Sequence, residues 1–463
     1  MIPSSSDKYI NGSRRHKSTD WVQRAILNSQ NDRCTPVEES KPPRKRSRGW
    51  TKRTKMPFNS SMFYRDYHNP NVKVVEHTEA KEFRRDYRMP WVEVEKIVSL
   101  FVRMKWVATD DYTEKTSWIV GRHVCPPEIK ILATLYWLGE GCSFRTIRNL
   151  SNRVLSRQSF TNFTKTFCRL IAKHLGPQWI RVPKDLSELR RVSAVYERLG
   201  FPGCVGSTDG VQIAWEGCPY AYRSSFTGKE KYPTLGFNVT VDHELRILHV
   251  CSMFAGRFND KTKVLYDDYV SKLRQGFYEG FSYNILDAGG ARHRCTIPYL
   301  LCDNGYHRWL QLMCPFKTTS QVMLAIWSKQ LESKRKDAER VFGVIKKRFR
   351  ILKVPLQFRD ATFIEHIFIT CAVLHNKLLT HDKQFKDGSF HRGVSPRIPQ
   401  QQRRTILINN VRKLLRADSD YSFMNQGDVT EDCTTQVDSE FLSMRKRLAE
   451  HLYTLYVNKQ LEF

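Results

Sequence analysis

The chain has 463 residues, enough for two or three domains, and its hydrophobic fraction of 40% allows a sizeable core. Its 76 Lys and Arg residues against 47 Asp and Glu give a formal net charge of +29, an excess that points to a polyanionic partner, most simply nucleic acid. A membrane surface is the rival partner, but no run of roughly 18 apolar residues exists to span a bilayer.

Residues 1–85 are polar, basic and without steady periodicity, and are expected to be a disordered tail. Within it, "KPPRKRSRGWTKRTK" at residues 41–55 combines two prolines with a dense basic run. Arg44, Lys45, Arg46 and Arg48 suit a nuclear-import signal or a phosphate-binding arm, and a nuclear location is expected. The opening segment lacks the apolar core of a secretory signal. The twelve cysteines include no C-x-x-C pair, so reduced intracellular thiols are expected rather than zinc ligands or a disulfide framework.

Residues 86–198 read as a helical domain. "PPEIKILATLYWLGEG" at 126–141 places prolines in a first helical turn and carries a strong apolar face. Downstream, Ser143 can cap a short helix and Ser156 a longer one. Phe160, Phe163, Phe167, Leu170 and His174 fall on one helical face, while Arg157, Gln158, Thr161, Asn162 and Lys165 fall on another. Two helices joined by a short turn, the second with polar side chains suited to phosphates and base edges, are similar to a helix-turn-helix. Arg157, Gln158, Asn162 and Lys165 are its candidate DNA contacts; a plain solvent-facing helix has the same texture.

From residue 199 the texture becomes that of an α/β domain, with expected bounds 199–385. "FPGCVGSTDGVQIAW" reads as a strand, and "PTLGFNVTVDHELRILHVCSMFAG" as two strands joined near Asp242–Glu244. "IPYLLCDNGY" reads as a short apolar strand ending in a polar turn, and "LQLMCPF" as a further strand. Helices are expected over about 322–349 and 361–380. Residues 386–463 read as a tail whose last amphipathic helix could pack on the body or on a partner.

Four acids stand out. Asp209 lies in the first strand, Asp260 follows the hairpin in "GRFNDKTKVL", Asp303 ends an apolar strand, and Glu339 sits on a basic helix. That helix, "ESKRKDAERVFGVIKKRF", sets Ala338, Phe342, Ile345 and Phe349 in an apolar stripe bordered by Glu339. Lys336, Lys346, Lys347 and Arg348 on it are candidate DNA contacts. An ion pair with Arg335 four residues earlier would explain Glu339 without any chemistry. The alternative is a set of strand-end carboxylates holding two magnesium ions about 4 Å apart for phosphodiester cleavage.

The stretch from about 199 to 380 resembles the DDE nuclease domain of Harbinger-type (PIF/Harbinger) transposases, a group that includes plant transposon proteins. "GSTDGVQI", "GRFNDKTKVL", "YLLCDNGY", "RKDAERVFGVIKKRF" and "AVLHN" follow one another in the order of that family's motifs. The helical block before it also resembles the family's helix-turn-helix region. Gln212 stands where many members have histidine, Cys302 where glycine is usual, and His307 where proline is usual.

The resemblance implies a ribonuclease H-like fold with Asp209, Asp303 and Glu339 as catalytic metal ligands for two Mg2+ or Mn2+ ions. Asp260 competes for the second place. Asp303 is preferred because in that fold the second aspartate sits at the end of a strand beside the first. The expected activity is metal-dependent cutting and joining of DNA, with element ends and target DNA as partners. A Myb/SANT-like protein partner, a homo-oligomer and no membrane are also expected. The alternative reading is a domesticated, non-catalytic DNA-binding or scaffold protein.

Overall fold

The computed structural model describes residues 57–107, 125–317, 319–385, 436–458 and 460–461. Arg44, Lys45, Arg46 and Arg48 therefore lie outside the described residues. The end of the expected polar tail is helical: α1 spans Met62–His68 and α2 spans Thr78–Tyr87. The reason is aromatic rather than periodic. Phe63, Tyr67, Phe83 and Tyr87 are buried, and Tyr87 packs edge-on or tilted against Phe63, Phe83 and Tyr136.

Helices α3 (Trp91–Arg103), α4 (Pro127–Glu140), α5 (Phe144–Leu150) and α6 (Arg157–Leu170) follow. The capping expected from sequence is present. Ser143 Oγ accepts from the Thr146 N–H at 3.4 Å, and Ser156 Oγ from the Ser159 N–H at 3.1 Å. Helix α7, Leu186–Glu197, then leads into the sheet.

The sheet is mixed. Its central strand β1 is Cys204–Ala214. On one side it pairs antiparallel with β2, Thr234–Val241, which pairs antiparallel with β3, Ile247–Val250, and with the short β4, Phe254–Ala255. After α8 (Asp260–Val264) and α9 (Asp268–Arg274), β5 (Tyr283–Leu286) and β6 (Arg292–Cys295) form a separate hairpin. On the other side of β1 lies β7, Tyr299–Leu301, in parallel, and beyond it β8, Leu312–Met313, also parallel. The order is thus β3-β2-β1-β7-β8. The two-strand reading around Asp242–Glu244 and the short strands at 299–301 and 312–313 agree with the sequence expectations.

Two long helices complete the body: α10, Val322–Arg348, and α11, Ala361–Phe385. Helix α10 spans two apolar cores. Its first half adds Ile326, Trp327 and Leu331 to a core with Val205, Tyr299, Leu300 and Leu312. Its second half adds Ala338, Val341 and Ile345 to a core with Val211, Phe237, α11 and the N-terminal helices. Phe342, placed on the buried stripe by periodicity, is only half-buried, and Val341 takes that position. No helix among the described residues is long and apolar enough to cross a membrane.

The last helix, α12 (Phe441–Val457), packs on the body. Phe441, Met444, Leu448, Ala449 and Leu452 are buried in the core that holds Trp327. Just before it, the Arg308 N–H donates to Gln436 O at 2.8 Å and the Asp438 N–H donates to Arg308 O at 2.9 Å, a strand-like clip on the loop after β7. If α12 is a core element, Phe441→Ala should cost about 3–5 kcal/mol and Leu448→Ala about 2–5 kcal/mol. Urea denaturation checks this; unchanged midpoints would make α12 a dispensable appendage.

Candidate active site

Sheet pairing sets where each acid can go. Asp209 pairs in register with Val239, near the middle of β1. Asp303 stands two residues past the end of β7, the parallel neighbour of β1. Asp260 is the first residue of α8, which Asn259 caps by accepting from the Thr262 N–H at 2.8 Å. Glu339 lies in the second half of α10.

Two glycines let these acids close in. A Cβ on Gly210 would meet Asp260 Oδ1 at 2.6 Å. A Cβ on Gly305 would meet Asp303 Oδ1 at 2.9 Å and Asp260 Oδ2 at 3.5 Å. Asp260 thus lies between the residue after Asp209 and the loop after Asp303. The Gly210 N–H donates to Asp209 Oδ1 at 2.8 Å, and the Gly305 N–H donates to Asp303 Oδ1 at 2.7 Å, so each carboxylate is oriented by a backbone N–H close to it in the chain.

Clustering half-buried carboxylates has an electrostatic cost. Burial, countered by the Gly210 hydrogen bond and then reinforced by the charge of Asp303, pushes Asp209 up to about 6. Burial and, after the opposing Gly305 hydrogen bond, the charge of Asp260 also raise Asp303. Two cations offset part of that cost. Lys263 Nζ, its side chain 3% exposed, lies 3.0 Å from Asp260 Oδ1. Arg335, its side chain 11% exposed, reaches Glu332 at 2.8 Å, Glu339 at 3.1 Å and Asp209 at 3.7 Å.

The simple ion-pair reading of Glu339 is therefore present as a contact, but Arg335 does more than serve that pair: it joins three carboxylates. Burial would lower its pKa, but the hydrogen bond and charge of Glu332, with Asp209 and Glu339, hold it above its ordinary value. The acids stand around these two cations, and among the described residues no three His, Cys, Asp or Glu side chains form a group that could hold a metal ion.

Beneath the acids, a buried polar network fixes the scaffold. Tyr306 Oη donates to Asn238 Oδ1 at 2.6 Å, and Asn238 Nδ2 donates to Thr208 Oγ1 at 3.1 Å and to Asp267 Oδ2 at 2.7 Å. It ties the loop after β7 to β1 and β2, the elements that carry Asp303 and Asp209. Glu332, Arg335, Lys263 and this network were not singled out as site residues from sequence. The spacing of Glu332, Arg335 and Glu339 at i, i+3 and i+7 was a visible signal, since it places all three on one helical face.

The candidate DNA contacts divide. Arg157, Gln158, Asn162 and Lys165 are exposed on α6, and Gln158 Nε2 donates to Asn162 Oδ1 at 2.8 Å. Lys336 and Lys347 are exposed on α10. Lys346 is half-buried and its Nζ donates to Gln212 O at 3.1 Å. Arg348 is turned inward: it is buried, its Nη1 lies 3.0 Å from His375 Nδ1, and burial lowers it to about 10. Its place one turn after Ile345 on the core side of α10 explains why a run of cations in sequence does not form one surface.

The unusual residues noted in the motifs leave the carboxylates in place. Gln212 accepts from Thr234 Oγ1 at 2.9 Å, Cys302 is buried, and His307 Nδ1 accepts from the Gln436 N–H at 3.0 Å.

Residues 178–386 match the family model described as plant transposon protein. That match covers all four acids and is consistent with the Harbinger-type resemblance carried by the motifs. No curated protein and no solved structure matches the chain.

Asp209 yields a pH prediction in metal-free buffer. Its folded-state pKa of about 6 lies above the ordinary 3.8, so the folded state holds a proton that the unfolded chain releases. Stability from this group is then present below about 4 and is lost as pH rises through about 6. Asp209→Asn, which cannot ionise, should melt at a higher temperature than wild type at pH 7.5, with the gap closing as pH falls from 6 to 4. Thermal denaturation with a chelator present measures this, and a gap independent of pH would refute the electrostatic account of Asp209.

Proposed function

We propose that this chain is a metal-dependent DNA endonuclease and strand transferase of the DDE type, built on a ribonuclease H-like fold. The observation that carries the reading is the convergence of Asp209, Asp260 and Asp303 at Gly210 and Gly305, facing the carboxylates of α10. The sheet order supports the fold, because Asp303 follows the strand that lies parallel to and beside the strand of Asp209.

The donor set suits a hard divalent cation: every candidate ligand is a carboxylate, and their mutual repulsion is what an added cation relieves. Asp209, Asp303 and Glu339 would hold Mg2+ or Mn2+, two ions in all, with Asp260 beside them. When bound, such ions supply an activated water or 3′-hydroxyl and stabilise the leaving oxygen of the phosphodiester. The rest falls to the chain. The backbone N–H groups of Gly210 and Gly305 orient Asp209 and Asp303. The exposed Lys336 and Lys347 attract phosphates toward α10. The exposed face of α6 presents Gln158 and Asn162 to base edges and Arg157 and Lys165 to the backbone.

Joining two element ends calls for more than one copy of the site, hence a homo-oligomer. A nuclear location, aided by the basic run at 41–55 and by a Myb/SANT-like partner, completes the proposal. One observation favours the alternative of a non-catalytic DNA-binding protein: Glu339 already has Arg335 as a partner at 3.1 Å.

Cleavage of an element-end duplex in magnesium separates the two readings. Asp209→Asn, Asp303→Asn and Glu339→Gln should each reduce cleavage about a thousandfold or more, without further loss on combination, because ligands of one site act as a unit. DNA binding should persist, and Asp260→Asn should be milder. Full activity in Glu339→Gln would remove Glu339 from the site. An active Asp303→Asn beside an inactive Asp260→Asn would exchange the roles of these two residues.

For end recognition, Gln158→Ala or Asn162→Ala should lower preference for the element end by about 1–3 kcal/mol. Lys165→Ala should weaken binding to all sequences alike. Selection of the same DNA motif by wild type and both amide variants would exclude base reading by α6.

A further inference from the structure

Arg335 contacts both Asp209 and Glu339, two of the candidate metal ligands. It is 9% exposed as a residue, and its guanidinium contacts Glu332 one turn before it, Glu339 one turn after it and Asp209 across on β1. Arginine suits this place because its planar fork offers several donors in fixed directions and it remains charged when buried. Glu332 receives two of its donors, Nε at 3.2 Å and Nη2 at 2.8 Å. Nη1 faces both Asp209 Oδ2 and Glu339 Oε1, at 3.7 and 3.1 Å. A guanidinium nitrogen thus stands between the first aspartate and the helix glutamate.

We propose that Arg335 is an internal counter-ion that latches the carboxylates in a metal-free arrangement and competes with a divalent cation for Asp209 and Glu339. The inference rests on the reading of those residues as metal ligands, and it assigns Arg335 a positioning and regulatory role rather than a catalytic one. It accounts for a pairing of facts that is otherwise awkward. Asp260 closes on Gly210 beside Asp209 and on Gly305 beside Asp303, yet no three of the acids form a metal-holding group among the described residues. With Arg335 between them, Asp209 and Glu339 already have a cation. Metal entry then requires the guanidinium to give up Asp209 and Glu339, while the two donors on Glu332 can retain it on α10. The chain would stay folded without metal and would bind it weakly until another anion, such as a DNA phosphate, drew the guanidinium away.

The test is calorimetric titration of Mn2+ into the full chain without DNA, with melting temperatures measured in chelator and in Mn2+. Arg335→Gln should bind Mn2+ at least about tenfold more tightly than wild type. It should melt lower than wild type in chelator and recover most of that loss in Mn2+. Lys336→Gln removes an exposed cation one residue away and measures the generic effect of lost charge; it should tighten binding by less than about twofold. Arg335→Lys keeps a charge without the fork, should fall between wild type and Arg335→Gln, and gives the same ordering if the glutamine variant does not fold. Equal or weaker Mn2+ binding by folded Arg335 variants, beside a wild type that binds, overturns the latch and leaves the metal site standing. Absence of Mn2+ binding by wild type and every variant overturns the metal site and the latch with it.

Discussion

Half-buried carboxylates set close together need positive charge, and this need organises the centre of the molecule. Asp209, Asp260 and Asp303 are drawn together by the pairing of β1 with β7 and by the entry of α8 over Gly210. Helix α10 answers with Arg335, and α8 answers with Lys263. Burial first, and then the charge of Asp303, raises Asp209 to about 6, a shift that both functional sites and structural ion-pair networks produce.

The rest of the fold holds those elements at fixed distances. Helix α10 joins two cores, so the stretch from Arg335 to Glu339 is held from both ends by packing rather than by a loop. The loop after Asp303 is held from below by Tyr306 on Asn238 and from the side by the clip at Gln436–Asp438. That clip and α12 lie outside the span matched by the plant transposon protein family, yet they complete the core against which β7 and α10 pack. Asp337, buried on α10, meets His243 Nδ1 from the β2–β3 turn at 2.6 Å, a contact that ties the core side of α10 to the sheet.

Much of this was legible in the order of residues. Strands at 204–214, 234–241 and 247–250 and the two long helices follow directly from β-branched runs and helical stripes. The helix caps at Ser143 and Ser156 follow from residue type alone. Asp260 at a helix start and Asp303 just past a strand end stand out against apolar neighbours, whereas Asp209 lies mid-strand and Glu339 within a helix, and their place in the ordered motifs marks them. What sequence could not supply was depth. Arg348 and Lys347 are adjacent and alike in sequence, but the turn of α10 buries one and exposes the other. The helices at 62–68 and 78–87 are polar in composition and become ordered through a few aromatic side chains whose partners lie far along the chain. Only the fold shows that Lys263 meets Asp260 and that Glu332 shares Arg335 with the other acids.

Under the proposed function, Asp209, Asp303 and Glu339 hold divalent metal. The most direct test is anomalous diffraction from crystals of the full chain grown with Mn2+ and a short element-end duplex. The account predicts two manganese peaks bounded by these three carboxylates, with the Arg335 guanidinium withdrawn from Asp209. Well-ordered carboxylates with no manganese peak among them, and Arg335 still lodged between Asp209 and Glu339, would contradict it.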